Sequence, residues 1–189
     1  YKVYLIGFSA PGKSHSGRLA AQELGAMFID MDRLIVKRAG KQISEIFEND
    51  GEDEFRRMER EVLEEQAEAS GQRVVSTGGG VPVDARNREV MTRSGLTIRL
   101  VASPETIHSR ISRSASRRAQ RAGRGSAARP MLTGSGDDDT TVARVRELLA
   151  AREGAYRAAT DVAIDTEGRE PPDVAAEIVA RVLESQSED

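Results

Sequence analysis

Gly7-Phe8-Ser9-Ala10-Pro11-Gly12-Lys13-Ser14 is the stretch that decides how this chain is read. Its spacing is that of the phosphate-binding loop G-x-x-x-x-G-K-S/T, and its surroundings agree with the match. The apolar run Val3-Tyr4-Leu5-Ile6 before it reads as a buried strand. Ser16 to Leu24 after it spaces Leu and Ala as a helix does. Strand, loop and helix together are what the chemistry requires. Backbone N–H groups converge on phosphate oxygens at a helix N-terminus, where the helix dipole favours negative charge. In such a loop Lys13 reaches the β- and γ-phosphates and the Ser14 hydroxyl ligates Mg²⁺.

Outward from the loop, short apolar runs alternate with helical patterns. Strands are expected at 26–30, 73–76, 96–101 and 162–165, besides the first at 1–7. Helices are expected after the loop, then at 32–39, from Ile43, at 52–69 and at 84–93. Further ones follow from Ser103-Pro104, at 140–158 and at 172–183. Five strands alternating with helices imply a parallel sheet covered on both faces. The chain reads as one domain over 1–185, with a frayed acidic tail at 186–189.

Composition bounds the rest. The 189 residues suit one domain, and 38% apolar with 4% aromatic implies a core of Leu, Ile, Val and Ala. Cysteine is absent, which removes disulfides and thiolate chemistry and agrees with a reducing cytoplasm. No apolar run approaches the ~20 residues of a membrane span. Lys and Arg number 28 against 31 Asp and Glu, so no global charge draws the chain to nucleic acid. The first residue is Tyr rather than Met, as expected of a trimmed chain or part of a longer one.

One segment breaks the alternation. Between Arg110 and Gly136 lie Ser, Ala, Gly and seven arginines, followed by Asp137-Asp138-Asp139. Length and polarity make it a lid at about 112–138, or a solvated charge run. Arg129 stands apart because Pro130-Met131-Leu132 can anchor it beside a transferring phosphoryl group.

A phosphate loop alone leaves the acceptor open. Asp30 and Asp32 sit just past a strand end, where open α/β sheets bind ligands. Asp30 would hold the water shell of the metal, and Asp32 would accept a hydrogen bond from a substrate hydroxyl or, alternatively, cap the following helix. Arg56, the glycines 78–80 and Arg152 add carboxylate recognition and close backbone approach. Taken singly, Arg56 and Arg152 also read as exposed ion-pair residues.

In this order, these motifs resemble the shikimate kinase family: the loop, Asp30-Met31-Asp32, Gly51-Glu52-x-Glu54-Phe55-Arg56, Gly78-Gly79-Gly80, Arg129-Pro130-Met131-Leu132, and Arg152 through Tyr156-Arg157. The likeness runs from Leu5 to about Val182. It implies a three-layer α/β/α fold of the P-loop kinase type with a central five-stranded parallel sheet and an Arg-rich lid. It also implies ATP-dependent phosphorylation of the 3-hydroxyl of shikimate in aromatic amino-acid biosynthesis. Carried over residue by residue, Lys13, Asp32 and Arg129 take the catalytic roles. ATP would be held by Ala10, Pro11, Gly12, Lys13, Ser14, His15, Arg110, Arg129 and Arg169. Shikimate would be held by Asp32, Arg56, Gly78, Gly79, Gly80 and Arg152 within a region near 31–60 and the later loops. Mg²⁺ would fall to Ser14 and, through water, Asp30. The implied enzyme is a cytoplasmic monomer with ATP and shikimate as its partners, without nucleic acid or membrane.

Three loop positions depart from the family pattern. Ala10 replaces Gly, Pro11 removes a backbone N–H from the cradle, and His15 replaces Thr, with an exposed first-turn histidine expected. A gluconate kinase with the same fold, or a weakly active nucleotide- or RNA-binding relative, stays open as an alternative.

Overall fold

Five strands, Lys2–Ile6 (β1), Met27–Asp30 (β2), Arg73–Ser76 (β3), Leu96–Val101 (β4) and Val162–Asp165 (β5), form one sheet in the order β2-β3-β1-β4-β5. This architecture comes from a computed structural model that describes residues 1–8, 12–122 and 141–187. Every strand pairing is parallel, with Tyr4 opposite Val75 on one side of β1 and opposite Thr97 on the other. Parallel neighbours need long crossovers, and helices supply them. These are Gly12–Glu23 (α1), Met31–Ala39 (α2), Ile43–Asn49 (α3), Glu52–Glu68 (α4), Ala85–Ser94 (α5), Pro104–Ala122 (α6), Val142–Ala159 (α7) and Pro171–Ser187 (α8). The three-layer reading of the sequence is what the chain adopts.

Alternation along β1 assigns the two faces. Tyr4 and Ile6 point into a core shared with Met31, Ile35, Ile46, Phe55, Leu63 and Tyr156. Val3 and Leu5 point the other way, against Ala20, Ala21, Ile178 and Val182 of α1 and α8. Each such side chain contributes about 1.5–3 kcal/mol by leaving water. The expected Leu, Ile, Val and Ala core also takes in Tyr4 and Tyr156, the largest of the fully buried side chains.

Three boundaries differ from the sequence reading. The stretch expected to turn irregular at Arg110 stays helical to Ala122. Its Ala, Ser and Arg residues are compatible with a helix, and Ile107 and Ile111 bind its inner face to Phe8 and Val145. The remainder of the lid segment, with Arg129, lies outside the described residues, as do Ala10 and Pro11. At the other end α8 runs to Ser187, so the first half of the expected tail is helical. Helix α2 starts one residue early, with Asp30 rather than Asp32 as its cap: its Oδ1 accepts from the Arg33 N–H at 3.2 Å.

Helix α1 lies unusually close to the sheet. A Cβ on Gly17 would stand 2.6 Å from Leu5 Cδ1 and 2.9 Å from Phe28 Cε2, both inside packed layers. Overpacking of this kind costs roughly 1–3 kcal/mol. Gly17→Val should therefore lower the urea midpoint by an amount equivalent to about 2 kcal/mol or more. An unchanged midpoint would show that α1 has room to move.

Candidate active site

All five strands end on the same side, and the chemistry-bearing residues gather there. At the end of β1 the chain turns at Gly7, whose φ is 134°. A Cβ at that residue would lie 2.6 Å from the Leu100 carbonyl oxygen of the next strand, so only glycine fits. Helix α1 begins at Gly12. Lys13 is 6% exposed, and its ammonium donates to the carbonyls of Gly7 and Phe8, each at 2.8 Å. That holds Nζ within the curl of its own loop. Ser14 Oγ donates to Asp30 Oδ2 at 2.7 Å and lies 3.4 Å from Ser76 Oγ at the end of β3. His15 is exposed, as the sequence suggested.

On the β2–β3 side, the turn at 78–80 is enclosed by charge. A Cβ on Gly78 would meet Glu59 Oε1 at 2.7 Å and Asp32 Oδ1 at 3.1 Å; one on Gly80 would run into the Arg56 guanidinium. Glycine at both positions lets these charged side-chain ends approach the backbone closely, and a Cβ would make them shift. Arg56 donates to Glu59 Oε2 at 2.5 Å and to Glu52 Oε1 at 3.3 Å. Its guanidinium bridges an exposed acid and a buried one. Arg152, on α7, is 7% exposed and stacks 5.9 Å from the Phe8 ring centroid. Of the two arginines, Arg152 refutes the surface ion-pair reading.

The opposite, β4–β5 side carries Arg110 and Arg169. Arg110 Nη1 donates to Thr166 Oγ1 at 2.9 Å and Nη2 to the Thr166 carbonyl at 2.8 Å. The same Nη1 lies 3.6 Å from the Cβ position of Gly12, which puts Arg110 beside the start of α1. Arg169 donates to the carbonyls of Asp165 and Asp173, both at 3.0 Å, and pairs with Glu177. Arg110 is thus anchored just after β5, and Arg169 ties the end of β5 to α8.

Sequence reasoning assigned no role to Glu59, Tyr156 or Arg99. Glu59 was accessible in principle: it shares the inner face of α4 with Phe55, Val62 and Leu63, and a carboxylate on an apolar face signals a buried partner. Burial pushes its carboxyl up to about 7 against the pull of Arg56; Asp32 adds to the rise and Arg152 opposes it. The Tyr156 hydroxyl donates to the Gly79 carbonyl at 2.7 Å, a contact between elements that no local pattern encodes.

A strand, a glycine-rich loop with a buried lysine and a serine–carboxylate pair, set at the centre of a parallel sheet, define a small P-loop kinase. The shikimate kinase family model matches residues 9–183. The shikimate kinase of Geobacter sulfurreducens is 42% identical over 184 residues, covering 97% of this chain and 92% of that protein. The solved shikimate kinase from Acinetobacter baumannii in complex with shikimate superposes with a TM-score of 0.82 at 30% identity, covering 97% of this chain and 93% of that one. The chain belongs to the shikimate kinase family. A gluconokinase from Sinorhizobium meliloti 1021 shares the fold only, at a TM-score of 0.56 and 18% identity, over 99% of this chain and 94% of that one.

The raised Glu59 value has a sign that can be measured. A carboxyl held above its ordinary 4.5 binds its proton more tightly folded than unfolded. Its contribution to stability is fully present below that value and is lost as pH rises through about 7. The wild type should therefore lose stability relative to Glu59→Gln on going from about pH 5 to about pH 8, by up to roughly 3 kcal/mol. Urea midpoints of the two proteins at both pH values test this. A gap that stays constant, or moves the other way, refutes the assignment.

Proposed function

We propose that this chain transfers the γ-phosphoryl group of ATP to the 3-hydroxyl of shikimate, with the acceptor held on the β2–β3 side and the nucleotide across the phosphate loop. One observation supports the division of sides above the others. Two arginines and two carboxylates converge on the turn at Gly78–Gly80, next to the strand ends that carry the loop. A small polyhydroxylated carboxylate fits such a set. Arg56 and Arg152 pair with its carboxylate, and Asp32 accepts a hydrogen bond from the attacking hydroxyl.

Phosphoryl transfer asks little covalent chemistry of the protein. The bond from the shikimate 3-oxygen to phosphorus forms, the bond from phosphorus to the ADP oxygen breaks, and the hydroxyl proton leaves on the acceptor side. Lys13 offsets charge on the β- and γ-phosphates, while the N–H groups at the start of α1 orient them. Arg110 and Arg169 line the side that takes the adenine. Arg129, from the segment beyond α6, would meet the phosphates and help exclude water.

The donor set also fits Mg²⁺. Ser14 and Asp30 already share a hydrogen bond of 2.7 Å between hard oxygen atoms. Among the described residues no group of three or more His, Asp or Glu stands ready for a metal. Mg²⁺ is commonly bound through one or two protein oxygens, several waters and substrate phosphates. Ser14 would ligate it and Asp30 would hold its water. When bound, the ion neutralises charge on the phosphates and so stabilises the transfer.

We place the enzyme in the cytoplasm as a monomer, acting on ATP and shikimate without nucleic acid or membrane. No helix among the described residues is long and apolar enough to cross a membrane. A coupled ADP assay across shikimate, gluconate and no acceptor decides the substrate: release should depend on shikimate and on Mg²⁺. Stimulation by gluconate but not by shikimate sinks the proposal. Lys13→Met should cut turnover at least about 100-fold while the thermal transition persists. Unchanged turnover would remove Lys13 from the phosphate role.

A further inference from the structure

Tyr156 is fully buried at the point where the acceptor-side elements meet. Its hydroxyl donates to the Gly79 carbonyl at 2.7 Å, which ties α7 to the turn after β3. Arg99 of β4 lies over its ring, Cζ 5.1 Å from the centroid. The Arg99 fork holds both oxygens of Glu153, at 3.0 and 2.6 Å. Glu153 neighbours Arg152 in sequence, and Tyr156 follows Arg152 by one helical turn. Burial pushes the Tyr156 phenol up, and Arg152 opposes the rise, so the guanidinium stands close to the phenol oxygen. Arg152 is thus fastened on both flanks, by Glu153 to β4 and by Tyr156 to Gly79.

We infer that Tyr156 is a positioning residue of the acceptor site, holding Gly79 and Arg152 at a fixed separation so that contacts from two different elements meet one small carboxylate ligand. The inference rests on the shikimate reading. A buried tyrosine hydroxyl needs some partner, and for packing alone any carbonyl would serve. Here the partner is the middle residue of the glycine turn, and the neighbour along the helix is the buried arginine. Fixing such groups in advance lowers the cost of ordering them when the ligand arrives. Arg99 serves the same end from beneath, because it grips the Tyr156 ring face and the carboxylate of Glu153, the residue next to Arg152 on α7.

The test is steady-state kinetics of the full chain with shikimate and ATP varied separately, alongside thermal melts. Tyr156→Phe keeps the ring and removes the hydroxyl. KM for shikimate should rise about five- to ten-fold, the scale of one net hydrogen bond, while KM for ATP and kcat change by less than about two-fold. A purely structural role would instead lower the melting temperature and leave both KM values alone, and that result overturns the inference. So does an equal rise in both KM values. Arg99→Gln provides the second variant, and it decides the matter should Tyr156→Phe not fold. It should raise KM for shikimate about two- to five-fold with KM for ATP unmoved, and no change in either KM counts against the inference. Wild-type enzyme that shows no shikimate-dependent turnover overturns the functional reading and this inference together, whereas normal wild-type turnover with unaltered variants overturns this inference alone.

Discussion

Strand β1 is hydrogen-bonded along both edges, to β3 on one side and β4 on the other, and everything at the site follows from that central place. The loop leaving β1 emerges in the middle of the sheet's carboxyl end, with its first residue pressed against the Leu100 carbonyl. To one side stand β3 and β2, whose following segments supply the glycine turn, Asp30 and Asp32. To the other stand β4 and β5, whose following segments supply Arg110, Thr166 and Arg169. The sheet order therefore separates the two groups of residues to either side of the loop, the acceptor and nucleotide sides of the proposed function. A ligand bridging the halves must cross the start of α1, where Gly12, Lys13 and Ser14 lie.

The acceptor half carries a second constraint, which is electrostatic. Arg56, Arg152, Asp32 and Glu59 are two cations and two acids, of which Arg152 and Glu59 are buried and Arg56 and Asp32 half-buried. Burying charge without partners is costly, and the short Arg56–Glu59 contact is part of how that cost is met. An incoming carboxylate adds one more negative charge to a set already in balance. The group best able to yield is Glu59, whose proton affinity is raised into the neutral range. The glycines at 78 and 80 belong to the same logic, since they let carboxylate and guanidinium groups reach the backbone that a Cβ would keep away.

Much of this was legible in the chain. Short apolar runs marked the five strands and period-3.6 patterns most of the helices, because the sheet is covered on both faces and each helix on one. The phosphate loop was legible because its chemistry sits in eight consecutive positions. The extension of α6 to Ala122 was not, because a Ser- and Arg-rich helix held by Ile107 and Ile111 has too thin an apolar stripe to stand out. The alternative that made Asp32 the cap of α2 names the wrong aspartate, since Asp30 and Asp32 offer the same chemistry two residues apart. Tyr156 and Arg99 escaped for a different reason: their partners, Gly79 and Glu153, lie 77 and 54 residues away. Pairings of that range are written in the topology and not in any window of sequence.

Asp30 spends its two oxygens in two directions, one on the first turn of α2 and the other on Ser14. The helix it caps is the helix that carries Asp32. A single carboxylate thus serves as the hinge pin between the phosphate side and the hydroxyl side of the cleft. In its proposed role Asp30 also holds the water of the ion, so a substitution there would disturb ion affinity and helix onset together.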